Sequence, residues 1–510
     1  MRLAGPPRAR GPLDAAVLAG GLLAACLLAA CGPHRASPAG GPVVLITLDA
    51  LRADQVGGLG GGPGLTPNLD ALIRQADWAG RAVAASSWAV PSMASLLTGL
   101  TPWQHHAILE GNARLADDLI TLPKALKALG YRTTAFTTGR WFTSEQGYDR
   151  GFDAFDVMGR NRDAAEHLAA LGGGRELVWI HMAEPDAPWV RRDWLLPRLG
   201  AAAANLPALP ALPAVIEPQQ LETWADPSRP RPAGLRRQLW AMYRLNVAWA
   251  DEKIGRLVEA LRESGQWDRA LVVVTSEFGE EIDEHGVAGH GGDLERETIE
   301  VPLIVKLPSW YRHRLAPPRR ERVGLVRLWA TLVEAAGGQP PPAMAPSLFQ
   351  GVPAPVLSEL YFGNGSNLFS LVDGDDQLLW ESHFAAPEPH YDSARFAAAA
   401  GAAGAESRGP QSAEAITGRL FDAFAATPPL AGRDAPRLRL NRWPERGGVV
   451  PAAAVRPAVL GALTRRLAAQ WRSFLPAELS PEAEDRQWLD QLPPPPPVPP
   501  LPSDTAERDS

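Results

Sequence analysis

Three side chains able to bind a cation or move a proton stand at the ends of apolar runs. Asp49 follows Val43–Leu48, His181 lies near the end of Leu177–Met182, and Glu277 stands just past Ala270–Thr275. Each run is short and rich in Val, Ile and Leu, the pattern of a strand buried on both faces. In a sheet of such strands the active groups gather at the carboxyl ends, so the three residues are expected near one another. Two further imidazoles, His285 and His290, follow Glu277 in a Gly-containing stretch. Carboxylates can hold a metal, and imidazoles can act as ligands or as general acids and bases. Plainer readings stand beside these: Asp49 as a helix N-cap, His181 as a packed core histidine, His290 as a solvated loop residue.

The elements that must position these groups alternate along the chain. Pro67–Gln75 and Leu122–Leu129 read as helices, the second closed by Gly130. Arg132–Thr138 and Val301–Leu307 read as further strands, and Gly324–Ala336 as a further helix. Over Gly234–Gly265, apolar residues at Leu235, Leu239, Met242, Val247, Ile254, Leu257, Val258 and Leu261 predict a long helix with one buried face. The β-α-β-α order implies an α/β fold with a mainly parallel sheet covered by helices on both faces. Past about residue 345 the texture changes. Val356–Tyr361, Leu368–Val372 and Gln377–Trp380 predict a small antiparallel subdomain, the last two strands joined by a Gly-Asp turn.

The chain has 510 residues, 45% hydrophobic and 21% charged, a balance that excludes wholesale disorder. Its net charge is -7, and Lys and Arg are scattered, so nucleic acid is not an expected partner. Two cysteines provide neither a disulfide framework nor a Cys-based zinc site. Both fall in the first 31 residues. Arg2, Arg8 and Arg10 precede an apolar run, Ala15–Cys31, of secretory size rather than spanning length. Its last four residues, Leu28-Ala29-Ala30-Cys31, resemble a bacterial lipobox. Residues 1–30 are thus expected to be a lipoprotein signal peptide and Cys31 the lipidated residue, with the body exported and held at a membrane of the cell envelope.

The remaining boundaries are a linker at 31–41, an α/β domain at 42–345, a C-terminal subdomain at 346–445, a helical segment at 446–490 and a Pro-rich tail at 491–510. The subdomain carries an Ala-, Gly- and Ser-rich insert, Ala385–Glu414, that is expected to be disordered.

Several blocks in order resemble the sulfatases of the alkaline phosphatase superfamily: VVLITLDALRAD, TPNLDALIRQ, SSWAVPSMASLLTGLTPWQHH, LPKALKALGYRTTAF, GFDAFD, VWIHMAEPDAPW, VVVTSEFGEEIDEHGVAGHGG and VPLIVKLP. LFDAF near Leu420 looks like the family's C-terminal subdomain. The resemblance implies an alkaline phosphatase-like fold and metal-dependent cleavage of a sulfate or phosphate ester. It places Asp49 and Glu277 on metal-ligand positions, and His181, His285 and His290 on the family's His positions. Pro91-Ser92 opens the helix whose N-terminus receives the anion, with Ser92 as an anion-binding residue and the helix ending near Gly99.

Four departures weaken this implication. The nucleophile position is Ala89, whose methyl group can neither attack nor bind metal. The family's Asp-His pair reads Glu277-Phe278, and Phe cannot be a ligand. Pro-His-x-Pro reads Pro185-Asp186-Ala187-Pro188, and the position after Pro-Ser, normally Arg or His, is Met93. A divalent cation (Ca, Mg or Mn) is therefore expected to bind weakly or not at all, with Asp49 and Glu277 the only strong carboxylate ligands. Ser86 and Ser87 lie on the lead-in, two or three residues from the position where a replacement nucleophile is needed. Two functions follow: a sulfatase-like envelope lipoprotein with impaired turnover, or a pseudoenzyme that binds an anionic ligand or a partner protein through the same cleft.

Overall fold

The protein, seen as a computed structural model, is described over residues 40–383, except 109–112, 139–140, 158–160, 200–212, 226–233, 312–321, 342–343, 352–354 and 363–365, and over 438–442 and 450–451. The expected signal peptide, Cys31, the linker up to residue 39, the insert 385–414, the LFDAF block, the helical segment 446–490 apart from Val450–Pro451, which form a strand, and the Pro-rich tail lie outside the described residues.

The principal elements in chain order are β1 (Val43–Leu48), α1 (Pro67–Ile73), β2 (Trp78–Val83), α2 (Ala89–Thr98), α3 (Pro102–His105), α4 (Leu122–Ala128), β3 (Arg132–Thr137), β4 (Ala154–Val157), α5 (Asn161–Ala169), β5 (Glu176–Met182), α6 (Leu235–Glu263), β6 (Leu271–Ser276), β7 (Glu300–Lys306), β8 (Val323–Gly324), α7 (Arg327–Ala335), β9 (Val356–Tyr361), β10 (Ser366–Asp373), β11 (Asp376–His383), β12 (Leu438–Arg442) and β13 (Val450–Pro451).

Eight strands form one sheet in the order β8-β2-β7-β6-β1-β5-β3-β4. All run parallel except β7, which is antiparallel to both β2 and β6. Every residue of β1 is buried, as the two-sided cover of a central parallel strand requires. Alternation then divides its side chains. Val43 and Leu45 join a core with α2, α4 and α7, whereas Val44, Ile46 and Leu48 join a core with α1 and α6. The 29-residue α6 closes the second face with the stripe of apolar residues read from its sequence.

The second sheet is antiparallel, in the order β9-β10-β11-β12-β13. It turns at Gly374 (φ 62°) between β10 and β11. It grips the main domain at the lead-in to α2, where Ser358 Oγ donates to the Ala84 carbonyl (2.7 Å) and Glu359 N donates to the Ala85 carbonyl (2.8 Å). From the other side Ala84 N donates to the Ile299 carbonyl (2.9 Å), and Ser87 Oγ donates to the Asp293 carbonyl.

Several elements escape the sequence pattern, three of them within the main domain's body. β2 holds a single β-branched residue, Val83, β4 is a four-residue edge strand, and α5 has a narrow apolar face. Helix α2 also begins two residues earlier than Pro91 suggests, because Pro is tolerated within the first turn, where its missing N–H has no partner to lose. The helix ends at Gly99, which has φ 70° and would place a Cβ 2.6 Å from Met344 Cε and 3.0 Å from Trp329 Cβ. Both the backbone sign and the space demand glycine there.

Candidate active site

Strand register assembles the centre. Thr47 pairs with His181 across β1 and β5, and Leu48 pairs with Met182 on one side and Ser276 on the other. The ladder continues past the strands: Asp49 N donates to the Met182 carbonyl (3.0 Å), and Glu277 N to the Leu48 carbonyl (3.2 Å). Asp49, His181 and Glu277 therefore meet, each offering one ligand atom within 4.8 Å of the others. His181 Nε2 lies 3.5 Å from Asp49 Oδ2, and His181 Nδ1 lies 3.4 Å from Glu277 Oε1. Phe142 meets the His181 ring edge to face at 4.6 Å, and Thr47 Oγ1 stands 3.3 Å from its Nδ1.

The chain turns sharply after Asp49. Ala50 adopts φ 62°, a left-handed conformation that costs a non-glycine residue about 1–2 kcal/mol. Neighbours hold it there. Tyr243 Oη donates to the Ala50 carbonyl (2.7 Å) and accepts from Arg52 N (3.1 Å), while Ser276 Oγ accepts from Leu51 N (3.0 Å). Ser276 Oγ also contacts the carbonyls of Leu48 (2.6 Å) and Phe278 (2.8 Å), tying two strand ends together.

Charge in this cluster is unevenly shared. Burial and the adjacent Asp49 charge push the Glu277 carboxyl well above its ordinary range. Burial opposes ionisation of Asp49 too, but the facing His181, the Glu277 hydroxyl form and His290 hold it below its usual value. The two shifts run in opposite directions, so Asp49 is the more readily ionised of the two carboxyls. Four atoms of the group are buried without a hydrogen-bond partner: Asp49 Oδ1, His181 Nε2 and both Glu277 oxygens. Idle buried acceptors of this kind fit a divalent cation.

A neighbouring group was only half visible in the sequence. Asp186, Glu280 and His290 also bring ligand atoms within 4.8 Å of one another. Asp186 entered the sequence reading only as a departure between two prolines, and Glu280 not at all. What aims Glu280 is a contact rather than a pattern. Gly279 runs so close to the Glu297 carbonyl that a Cβ would lie 2.1 Å from it, and Gly279 N donates to the Thr298 carbonyl (2.8 Å). Asp186 and Glu280 thus add a second pair of carboxylates beside the expected metal ligands Asp49 and Glu277. Burial and the charges of Glu280 and Asp49 lift the Asp186 carboxyl to about 7 despite His290. Burial works against the His290 imidazolium, yet Glu280 and Asp186 raise it to about 9.

His285 joins neither group. It pairs with Glu281 (Nδ1 to Oε1, 3.3 Å), whose hydrogen bond lifts it to about 9 against the effect of burial, with Glu295 and Glu297 adding to the shift. Ala89 is the first residue of α2 and 3% exposed. Its neighbour Trp88 packs edge to face on Trp141 (5.5 Å), with its Cβ 3.8 Å from where Gly291 would carry one. The Ser92 hydroxyl, expected to face an anion, donates instead to the Glu277 carbonyl, so it fastens the first turn of α2 to the centre. Phe278 is buried, and its ring centroid lies 4.4 Å from that of His290. His105 is buried and held near 3 by desolvation and by His106, while it contacts Ser95 Oγ (2.9 Å) and the Pro91 carbonyl (3.1 Å).

The Sulfatase family model matches residues 42–167 and 208–338, half of the chain. The multifunctional alkaline phosphatase superfamily protein PehA of Trinickia caryophylli is 25% identical over 413 residues, 63% of this chain and 79% of that protein. Among solved structures, the phosphonate monoester hydrolase SpPMH of Silicibacter pomeroyi superposes with a TM-score of 0.56 at 18% identity, covering 86% of this chain and 97% of its own. BT1596, a 2-O GAG sulfatase, superposes with a TM-score of 0.52 at 17% identity over 68% and 83% of the two chains. At these identities the structural likeness concerns the fold.

Proposed function

The chain belongs to the sulfatase family of the alkaline phosphatase superfamily, and on that premise we propose that it binds a sulfate or phosphate ester over Asp49, with turnover impaired or lost. Asp49, His181 and Glu277 are the residues that would hold a divalent cation. When bound, such an ion draws charge from the ester oxygens and from a nucleophile. The N-terminus of α2 supplies partial positive charge toward an anion. The carrying observation is Ala89: a methyl group stands in the buried first turn of α2, one and two residues before the Val90 and Pro91 carbonyls that Tyr148 and His105 contact. Loss of a nucleophile commonly removes many orders of magnitude in rate. Phe278, placed where the family has a His ligand, favours the further reading of a pseudoenzyme that binds an anionic ligand or a partner protein in the same cleft.

The test compares three proteins with Mn²⁺ added: wild type, Asp49→Ala, and the triple variant Ala89→Thr, Glu277→Asp, Phe278→His. Wild type should hydrolyse aryl sulfate and aryl phosphate near background, and the triple variant measurably faster. Rapid wild-type hydrolysis abolished by Asp49→Ala would sink the impaired-turnover reading, and a silent triple variant would favour the pseudoenzyme. We read Leu28–Cys31 as the attachment point of this body to a membrane of the bacterial envelope. Labelled fatty acid still incorporated by Cys31→Ser would refute that attachment.

A further inference from the structure

Asp186, Glu280 and His290 reach their common point from separate stretches of chain: the loop after β5, the turn after β6, and the Gly-rich segment beyond it. His290 Nδ1 lies 2.8 Å from Glu280 Oε2 and 3.9 Å from Asp186 Oδ1. Asp186 Oδ1 also accepts from Ala187 N (2.6 Å). Glu280 is fully buried, and its second oxygen, Oε1, has no hydrogen-bond partner. The nearby guanidinium of Arg52 does not neutralise this carboxylate, because its Nη1 is directed at the Glu280 carbonyl (2.9 Å) and at Glu284. A buried carboxylate oxygen without a partner is destabilising, and a bound cation would supply that partner.

We propose that Asp186, Glu280 and His290 form a second divalent-cation site, distinct from Asp49, His181 and Glu277. Two carboxylates and one imidazole make a mixed oxygen and nitrogen donor set. Imidazole favours Zn²⁺ and its transition-metal neighbours, and carboxylates extend the range to Mn²⁺, whereas Ca²⁺ and Mg²⁺ favour oxygen donors throughout. The ion expected is therefore Mn²⁺ or Zn²⁺. The site goes beyond the proposed function and stands without it, since no ligand is shared between the two groups.

Equilibrium dialysis of the full chain against Mn²⁺, with metal counted by mass spectrometry, tests the assignment. Wild type should bind two equivalents. Asp49→Ala should retain one, and Glu280→Gln should retain the other, with affinity at the lost site reduced at least tenfold. Asp186→Asn, at a half-buried loop position, provides a variant less exposed to folding failure, and circular dichroism melts check both. Manganese spin resonance adds a second readout: line broadening from two nearby ions should vanish in either single-site variant. A single equivalent that Asp49→Ala removes and Asp186→Asn leaves untouched would overturn the second site while leaving the proposed function intact. Binding of one equivalent that Asp186→Asn removes and Asp49→Ala spares would uphold the second site and contradict the cation assigned to Asp49. No bound Mn²⁺ or Zn²⁺ at all would end both.

Discussion

Ser276 shows how much of the centre depends on a residue that touches no ligand. Its hydroxyl contacts the Leu48 and Phe278 carbonyls and accepts from Leu51 N, so it binds the end of β1 to the end of β6. Ser276→Ala leaves these buried groups short of a partner. Urea unfolding should report a loss of about 1–3 kcal/mol, with Mn²⁺ affinity falling at the same time because Asp49 and Glu277 lose their common support. Asp49, His181 and Glu277 were legible in the sequence because each terminates a run whose burial is written in its composition. Glu280 was not, since its direction comes from the approach of Gly279 to the Glu297 carbonyl, and no periodicity encodes that contact. Asp186 lies between Pro185 and Pro188 in a loop, where spacing carries no geometric information either.

At the scale of elements, α1 is capped from outside itself. Its N-cap Thr66 makes no side-chain capping bond, and Asp251 on α6 takes that role. The buried Asp251 carboxylate accepts from Asn68 N (3.2 Å), Leu69 N (2.8 Å) and Arg198 Nη1 (2.9 Å). Asp251→Ala should therefore lower stability by about 1–2 kcal/mol through lost capping, while Arg198 keeps its pairing with Glu252. Hydrogen exchange should speed up in α1 before it does in β1. The long periodic α6 and the apolar β1, β5 and β6 could be read from sequence almost to their ends. Elements with little apolar surface could not: β4 alternates between exposed and half-buried residues, and nothing in AFDV distinguishes it from a loop.

Over the whole molecule, cation binding and folding are linked. Any ion held only by the native chain adds about 2.7 kcal/mol per site at a free concentration of one hundred times its dissociation constant. Thermal melts should thus rise with Mn²⁺ in wild type and less in Asp49→Ala. A second linkage operates where the antiparallel sheet meets the main domain. Glu359 on β9 is buried against Trp103 N (2.7 Å) and the Tyr361 hydroxyl (2.8 Å), with Thr101 alongside, and burial lifts its carboxyl to about 7. Its folded value is raised, so its contribution is full below about 4.5 and fades as pH rises through about 7. Glu359→Gln should remove that dependence. Relative to wild type, the variant should be more stable at pH 8 than at pH 5, by on the order of 3 kcal/mol. Denaturant midpoints that shift in parallel for both proteins would refute this.

The lead-in to α2 is fixed by Ile299, Asp293, Ser358 and Glu359 acting on Ala84, Ala85 and Ser87, and the residue at position 89 takes no part in those bonds. Selection for a folded chain therefore constrains position 89 through its buried size and not through those bonds. Alanine and a small hydroxyl residue can exchange there by single codon changes, each intermediate inheriting an intact scaffold. Families built this way should shed and regain catalysis more readily than those whose nucleophile also props up its own loop.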